Sequence, residues 1–559
     1  MSKDLINSIN SFFQNRSTFV SEKFKNRIFV YGVALIGLTL DNLNVSGSIT
    51  TVFSIAESFN ASTTVVSWVL SSYALTIGAF IIIAGKFCDV LGAANVFLFG
   101  LFALSISALI TAVIDKQIIA LIVFRAIQGI FSAVLIPSSF AITSTYFQDP
   151  KELELATKFL ITALVVSQGI GTVLGGAFSE SNIGYKGLYY FSFAVGFSSF
   201  LILFFTMDPL EKTQEHSNLK LKNLDYGGSI FLVIGLILVI LGLTEGGENW
   251  KRPVAYVPII VGGLVCIGVM IFEMVYIQRY KDKYQIIEQT QNLESLKGSE
   301  KKEIGNEEEL TIKLDKVDWR VNLDLLFPVE ILSIPNFLVY CSSTFLIYIA
   351  FISILANLIN YHIYVEGESP ILASVKTLPF TAGLVFNTII YKENITYKIG
   401  LKKSLIMSPL FSTGLIVWIS RLDFRKSNSF WIFEFIPQFL AGITMNQYFQ
   451  IYWNAILSGT PLHLQGLIAG ILQTAGQIGV SIGNAIIASI SGELIVATNY
   501  DQQVELHEKF RDVFYLAIAA MGLMTIVMLF VKNVERQKRQ GSTSTSSTDT
   551  SKTIESETI

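Results

Sequence analysis

Long apolar runs separated by short polar stretches dominate the chain. Segments able to cross about 30 Å of hydrocarbon need roughly 20 residues each. A first group of six such runs lies at 29–49, 66–84, 96–114, 119–142, 157–178 and 187–207. Two more follow at 227–243 and 254–277, and a second group of six lies at 337–360, 372–390, 404–419, 430–452, 466–489 and 514–531. Hydrocarbon offers a backbone no partner but itself, so these runs are expected to be helices. The predicted fold class is an all-α polytopic membrane protein of about fourteen spans, ordered six, two and six.

The polar stretches divide the chain further. They mark an N-terminal segment (1–27), a first six-helix bundle (28–208), a linker with the extra pair (209–280), a polar linker (281–333), a second bundle (334–532) and a tail (533–559). The polar linker mixes Glu, Lys and Gln and reads as solvated. The Ser/Thr-rich end of the tail is expected to be disordered. Residues 1–26 lack an apolar core of the signal-peptide kind, so the first span is expected to direct insertion.

Composition supports the membrane class. Hydrophobic residues make up 52% and charged residues 15%, against about a quarter charged in soluble domains. A net charge of −3 leaves no basic excess for nucleic acid. Cys88, Cys266 and Cys341 form no CxxC pair, and His216, His362, His463 and His507 show no ligand spacing, so neither metal nor cofactor is expected.

Lys and Arg set an orientation. Lys23, Lys25 and Arg27 precede span one, Lys392, Lys398, Lys402 and Lys403 separate spans ten and eleven, and Lys532, Arg536, Lys538 and Arg539 follow span fourteen. All fall on one face, taken as cytoplasmic together with both termini. Arg421, Arg425 and Lys426 oppose the rule, but later loops weigh less. Asn60-Ala61-Ser62 is a glycosylation sequon on the opposite face.

Three polar or glycine-bearing constellations stand out, because helices in lipid approach closely through small residues and keep charges for a reason. The first, Gly85-Lys86-Phe87-Cys88-Asp89-Val90-Leu91-Gly92, reads as a tight loop after span two in which Asp89 meets a helix N-terminus or a basic partner; an ordinary polar turn is the alternative. The second is Arg125 with Gln128, Gly129 and Ser132 in span four. An arginine there costs roughly 2.5 to 3.5 kcal/mol unless it faces a polar cavity, a carboxylate or the interface by snorkelling. The third, Gly171, Gly175 and Gly176 in span five, permits a close helix contact, as generic membrane packing also does.

Together, in this order along consecutive spans, these constellations resemble the major facilitator superfamily of secondary transporters. With about fourteen spans and Leu40-Asp41-Asn42-Leu43-Asn44-Val45 in span one, the chain is similar to the drug:proton antiporter branch, most of all to fungal resistance-type exporters. The likeness covers residues 29–531. Several positions depart from the family pattern: Val90, Ala93 and Ala94 stand where it has basic residues, Thr172 where it has proline and Ser167 where it has glycine.

The resemblance implies two bundles rocking about a central cavity, with proton-coupled export of small solutes. Asp41 is the expected proton carrier, with Arg125 and Gln128 beside it, since a buried carboxyl can load and release a proton. Asn42 and Asn44 are placed to solvate it. A structural acid bonded to a neighbouring helix is the alternative role. Glu434 and Lys376 lie near the outer ends of their spans, where snorkelling suffices. Gln473, Gln477, Ser481 and Asn484 form a polar stripe on span thirteen, and with Asn446 and Gln447 they are candidates to line the cavity or to bond between helices. The expected partners are a small-molecule substrate, protons and the lipid bilayer, with the protein acting as a monomer in the plasma membrane, or alternatively the vacuolar membrane. Rival readings are an uptake carrier or uniporter for ammonium, an amine or another nutrient, and a non-transporting sensor. No nucleophile and base pair suggests an enzyme.

Overall fold

The computed structural model describes residues 25–207, 225–248, 251–284, 323, 325, 329–426, 428–460 and 462–532. The polar linker for the most part, and the tail from 533, lie outside these residues.

Local chemistry sets the helix ends. The Asn26 side chain accepts from Ile28 N at the start of α1 (Arg27–Phe59), which ends on Asn60 in the left-handed conformation, φ 45°. Ser62 then accepts from Val65 N to begin α2 (Thr63–Leu91), so the sequon forms a turn capped on both sides. Helix α3 (Ala93–Val113) follows directly. The fourth apolar run is two helices, α4 (Ile118–Ser132) and α5 (Leu135–Tyr146). Pro137 lacks the N–H that would bond Ala133, which favours the break there. Asp149 caps α6 (Pro150–Glu180) with Pro150 in its first turn, and α7 (Lys186–Thr206) completes the first bundle.

The extra pair is α8 (Tyr226–Glu248) and α9 (Pro253–Ile271), the latter running on as a π-helical segment, Phe272–Ile277. It docks through α8 onto α2 and a helix of the second bundle, α17 (Leu462–Ser491). That bundle comprises α10 (Glu330–Ser333), α11 (Phe337–Tyr364), α12 (Pro370–Lys376), α13 (Leu378–Ile390), α14 (Glu393–Ile399), α15 (Leu401–Ile419), a π-helical segment (Phe430–Phe435) leading into α16 (Ile436–Ser458), α17 (Leu462–Ser491) and α18 (Tyr500–Leu529).

Among the described residues, twelve helices are long and apolar enough to cross a membrane. The runs at 404–419 and 430–452 are helical too, as α15 and the π segment with α16. Lys402 and Lys403 in the first, and Gln438, Asn446, Gln447 and Gln450 in the second, leave them less apolar than the twelve.

The glycine-flanked segment after span two is not the loop expected. Helix α2 continues to Leu91, so Gly85 and Asp89 stand on its last turns and only Gly92 lies between α2 and α3. Gly92 has φ 89° and ψ 132°, a conformation that a side chain would oppose. Gly400, between α14 and α15, repeats it with φ 104° and ψ 125°. The two halves thus share one positive-φ glycine junction at equivalent places.

The halves meet reciprocally. The second helix of the first half, α2, packs on the fifth of the second, α17; the fifth of the first half, α6, packs on the second of the other, α12 and α13. In the first contact Thr474 Oγ1 donates to Gly78 O at 2.8 Å. In the second, Ile371 N donates to Glu180 Oε1 at 2.7 Å. The second contact lies toward the face away from the start of α1, here termed distal.

Candidate functional site

Asp41 sits midway along α1, 2% exposed. Its carboxylate accepts from Tyr73 Oη at 2.7 Å and from Ser132 Oγ at 2.5 Å, and the two hydroxyl oxygens lie 2.9 Å apart. One acid is thereby joined to α2 and α4 by hydroxyls alone. Hydroxyls stabilise the carboxylate without neutralising it, which leaves the carboxyl able to take up a proton.

Arg125 is fully buried on α4. Its Nε donates to Val69 O at 3.2 Å and its Nη1 to Gln128 Oε1 at 2.9 Å. The guanidinium lies 4.0 Å from the centroid of the Tyr73 ring and 5.6 Å from that of Tyr189, so its charge rests on aromatic faces. Arg125 Nη2 and Gln128 Nε2 have no hydrogen-bond partner among the described residues. Asp41, Arg125 and Gln128 are therefore brought into one site, with Tyr73 as the link that sequence reasoning missed. Its signal was a lone tyrosine in the apolar run of span two, whose buried hydroxyl must find a partner.

Asn42 and Asn44 do not solvate Asp41 in this arrangement. Asn42 Nδ2 donates to Leu164 O on α6 at 2.9 Å. Asn44 Nδ2 donates to Leu40 O, and its Oδ1 accepts from Ser192 on α7 at 2.8 Å.

The glycines of α6 work on two faces. A Cβ at Gly171 would lie 2.2 Å from Ser46 Oγ, and one at Gly175 2.1 Å from Thr50 Oγ1 and 2.3 Å from Gly47 O, so this pair seats α6 on α1. Gly169 and Gly176 face the other half, where a Cβ would meet Thr381 at 2.6 Å and Ser374 Oγ at 2.5 Å. Thr172, where the family pattern has proline, donates through Oγ1 to Gly169 O at 2.8 Å, and its carbonyl accepts from Thr50 Oγ1 at 3.2 Å.

On α17 the glycines and amides also separate. Gly476, Gly479 and Gly483 press on Tyr348, Phe345 and Ile352 of α11. Gln473 Oε1 accepts from Tyr348 Oη at 3.2 Å, and Gln477 stands against Gly78 of α2. Asn484 lines a cavity of about 60 Å³ with Ile49, Leu70, Asn360, Tyr364 and Ser491, and a smaller one beside Arg125 and Tyr73. A volume of that order holds a water or two rather than an organic solute. Asn446 turns into its own bundle, bonding Thr388 Oγ1 at 2.5 Å and Leu384 O, and Gln447 is half-buried. The side chain of Asp89 lies outside the described residues.

Glu434 does not snorkel, whereas Lys376 reaches the partly exposed carboxylates of the adjoining loop. Glu434 is wholly buried in the π segment, its two oxygens each 2.9 Å from Nε2 of the equally buried His362. Lys376 Nζ bonds Glu366 at 3.1 Å and Glu368 at 2.5 Å. His362 Nδ1 and the two loop carboxylates converge closely, but the lysine ammonium already stands among them and supplies the positive charge.

The model of the Major Facilitator Superfamily matches residues 33–484. Multidrug resistance protein 3 of Bacillus subtilis is 31% identical over 33% of this chain and 34% of its own length. The low affinity ammonium transporter of Saccharomyces cerevisiae is 28% identical over 35% of this chain and 39% of its own length. This chain therefore spans little more than a third of these curated relatives. A crystal structure of a D-xylose-proton symporter superposes with a TM-score of 0.58 at 12% identity, over 92% of this chain and 99% of the other, a likeness of fold alone. With the family model spanning most of its length, the chain belongs to the Major Facilitator Superfamily.

Proposed function

We propose that this protein is a secondary active transporter of about fourteen spans that exports small solutes by alternating access, driven by protons returning through Asp41. The observation that carries the reading is the carboxyl of Asp41, buried on α1 and held by Tyr73 and Ser132. A carboxyl so placed exchanges a proton when the cavity beside it changes sides. Arg125, resting on Tyr73, tunes that exchange through the ring. The name of the Bacillus subtilis relative supports export of toxic compounds. The termini are assigned to the cytoplasm by the Lys and Arg pattern, which makes the distal face external. The membrane is taken to be the plasma membrane, and the working unit a monomer.

The test uses the full chain in proteoliposomes with an imposed pH gradient. Ethidium, a lipophilic cation, serves as one probe and methylammonium as the other. Gradient-driven ethidium movement that is lost in Asp41→Asn supports the proposal, and full coupling in that variant refutes it. Methylammonium uptake without coupling favours the second reading, an ammonium carrier, which rests on the likeness to the yeast transporter and on Thr172.

A further inference from the structure

The second bundle carries its own ionisable network, 72 residues across in sequence between its central partners. His362 ends its ring between two acids. Nε2 is 2.9 Å from Glu434 and Nδ1 is 2.7 Å from Glu366 Oε2. A neutral imidazole has one N–H. With both carboxylates ionised, one of these contacts would set a nitrogen lone pair against an oxygen lone pair. Lys376 Nζ also faces Nδ1, at 3.3 Å, but the closer approach of Glu366 favours one proton more than a neutral histidine beside two carboxylates, held as imidazolium or as a carboxylic acid. With imidazolium, Lys376 and the three carboxylates of Glu366, Glu368 and Glu434 all charged, the network is still one negative charge in excess.

Its position matters as much as its protons. The π segment presents Glu434 inward just before Pro437, which lacks the N–H that Phe433 O would receive in a regular helix. Gln438 Nε2 donates to Glu434 Oε1 at 2.8 Å and to Lys376 O at 3.2 Å. Lys376 is the last residue of α12, the helix whose other end meets α6 of the first half through Gly176 and Glu180. On the remaining side, Tyr361 bonds His507 of α18 and accepts from Phe424 N, in the loop that carries Asp423 and Arg425.

We propose that His362 and Glu434 form a second proton-exchange site, and that its proton keeps α12 docked on α6 at the distal face. Removing that proton leaves Glu434 charged against a neutral ring in a buried pocket, a state that is relieved by admitting water. The relief available is withdrawal of α12, so the distal contact opens on deprotonation and closes on proton uptake. The proposal rests on alternating access but not on Asp41 as the carrier.

The test is spectroscopic and needs no solute. Spin labels on Ser181→Cys and Leu372→Cys, with the native cysteines replaced by alanine, report the distance between α6 and α12 in reconstituted full-length protein from about pH 5 to 11, a range that spans the titration of a histidine among carboxylates. In parallel, infrared difference spectra report protonated carboxyls. The expected result is separation as pH rises, removal of that pH dependence by Glu434→Gln and by His362→Gln, and its persistence in Asp41→Asn. Should Glu434→Gln fail to fold, His362→Gln and the infrared band of the unmutated chain carry the decision. A distance independent of pH, or one whose pH dependence survives both substitutions, overturns the proposal. Failure of Asp41→Asn to uncouple transport while the distal separation persists would refute the Asp41 assignment alone.

Discussion

The guanidinium of Arg125 stands 4.0 Å from the centroid of the Tyr73 ring, and the hydroxyl of the same tyrosine holds Asp41 at 2.7 Å. Charge and counter-charge thus meet on one tyrosine rather than pairing directly. A direct pair would fix Asp41 in its ionised form. On the proposed reading, sharing a tyrosine leaves the carboxyl free to take up a proton while the cation stays near it.

Tyr73→Phe should keep the ring under Arg125 and remove one donor that favours the carboxylate. Hydrogen bonds to charged groups are worth about 1.5 to 3 kcal/mol. The half-maximal pH of gradient-driven transport should therefore move to the alkaline side by about one unit or more, with expression and gel-filtration behaviour unchanged. An unaltered pH profile would show that the hydroxyl has no part in coupling.

Two glycine substitutions should differ sharply. A methyl at Gly175 meets backbone and Thr50 at 2.1 to 2.3 Å, whereas nothing lies within 4 Å at Gly85. Gly175→Ala must push α6 off α1 and should destabilise by about 1 to 3 kcal/mol. Gly85→Ala should be neutral or stabilising by up to about 1 kcal/mol, because it lies within a helix. Thermal unfolding of the purified variants in detergent compares them directly.

Gly92→Ala and Gly400→Ala should behave alike. Each forces a side chain into a backbone region of positive φ at the equivalent junction, at a cost of about 1 to 3 kcal/mol. Parallel losses of melting temperature are expected; tolerance of one and not the other would contradict equivalent roles in the two halves.

Glu366 provides a pH dependence in the loop between spans. Burial works against its charge, but the hydrogen bond from His362 and the ammonium of Lys376 outweigh it and hold the carboxyl below its ordinary value. A lowered carboxyl contributes stability above its unfolded value and loses it as pH falls through the folded one. As pH falls below about 4.5, the melting temperature of the unaltered protein should fall more steeply than that of Glu366→Gln. Superimposable curves would remove Glu366 from the network.

Much of the architecture was legible in residue order. Apolar length announces a membrane helix because hydrocarbon thickness is a fixed external ruler, and the runs at 29–49 or 337–360 could be little else. Asp41 and Arg125 were conspicuous since charges in such runs are rare. The spacing of Gly171 and Gly175 places them on one helix face by periodicity alone.

Neighbours across helices were decided only by the tertiary structure. Tyr73 reaches Asp41 from another helix, and His362 meets Glu434 from 72 residues away. Nothing local distinguishes Gly176, which faces the second half, from Gly175, which faces α1. Glu434 looked like a group that would reach the interface, yet the π turn before Pro437 aims it inward. Periodicity reports how a helix divides into faces; which face meets which partner follows from the packing of all the helices at once, and no single segment encodes it.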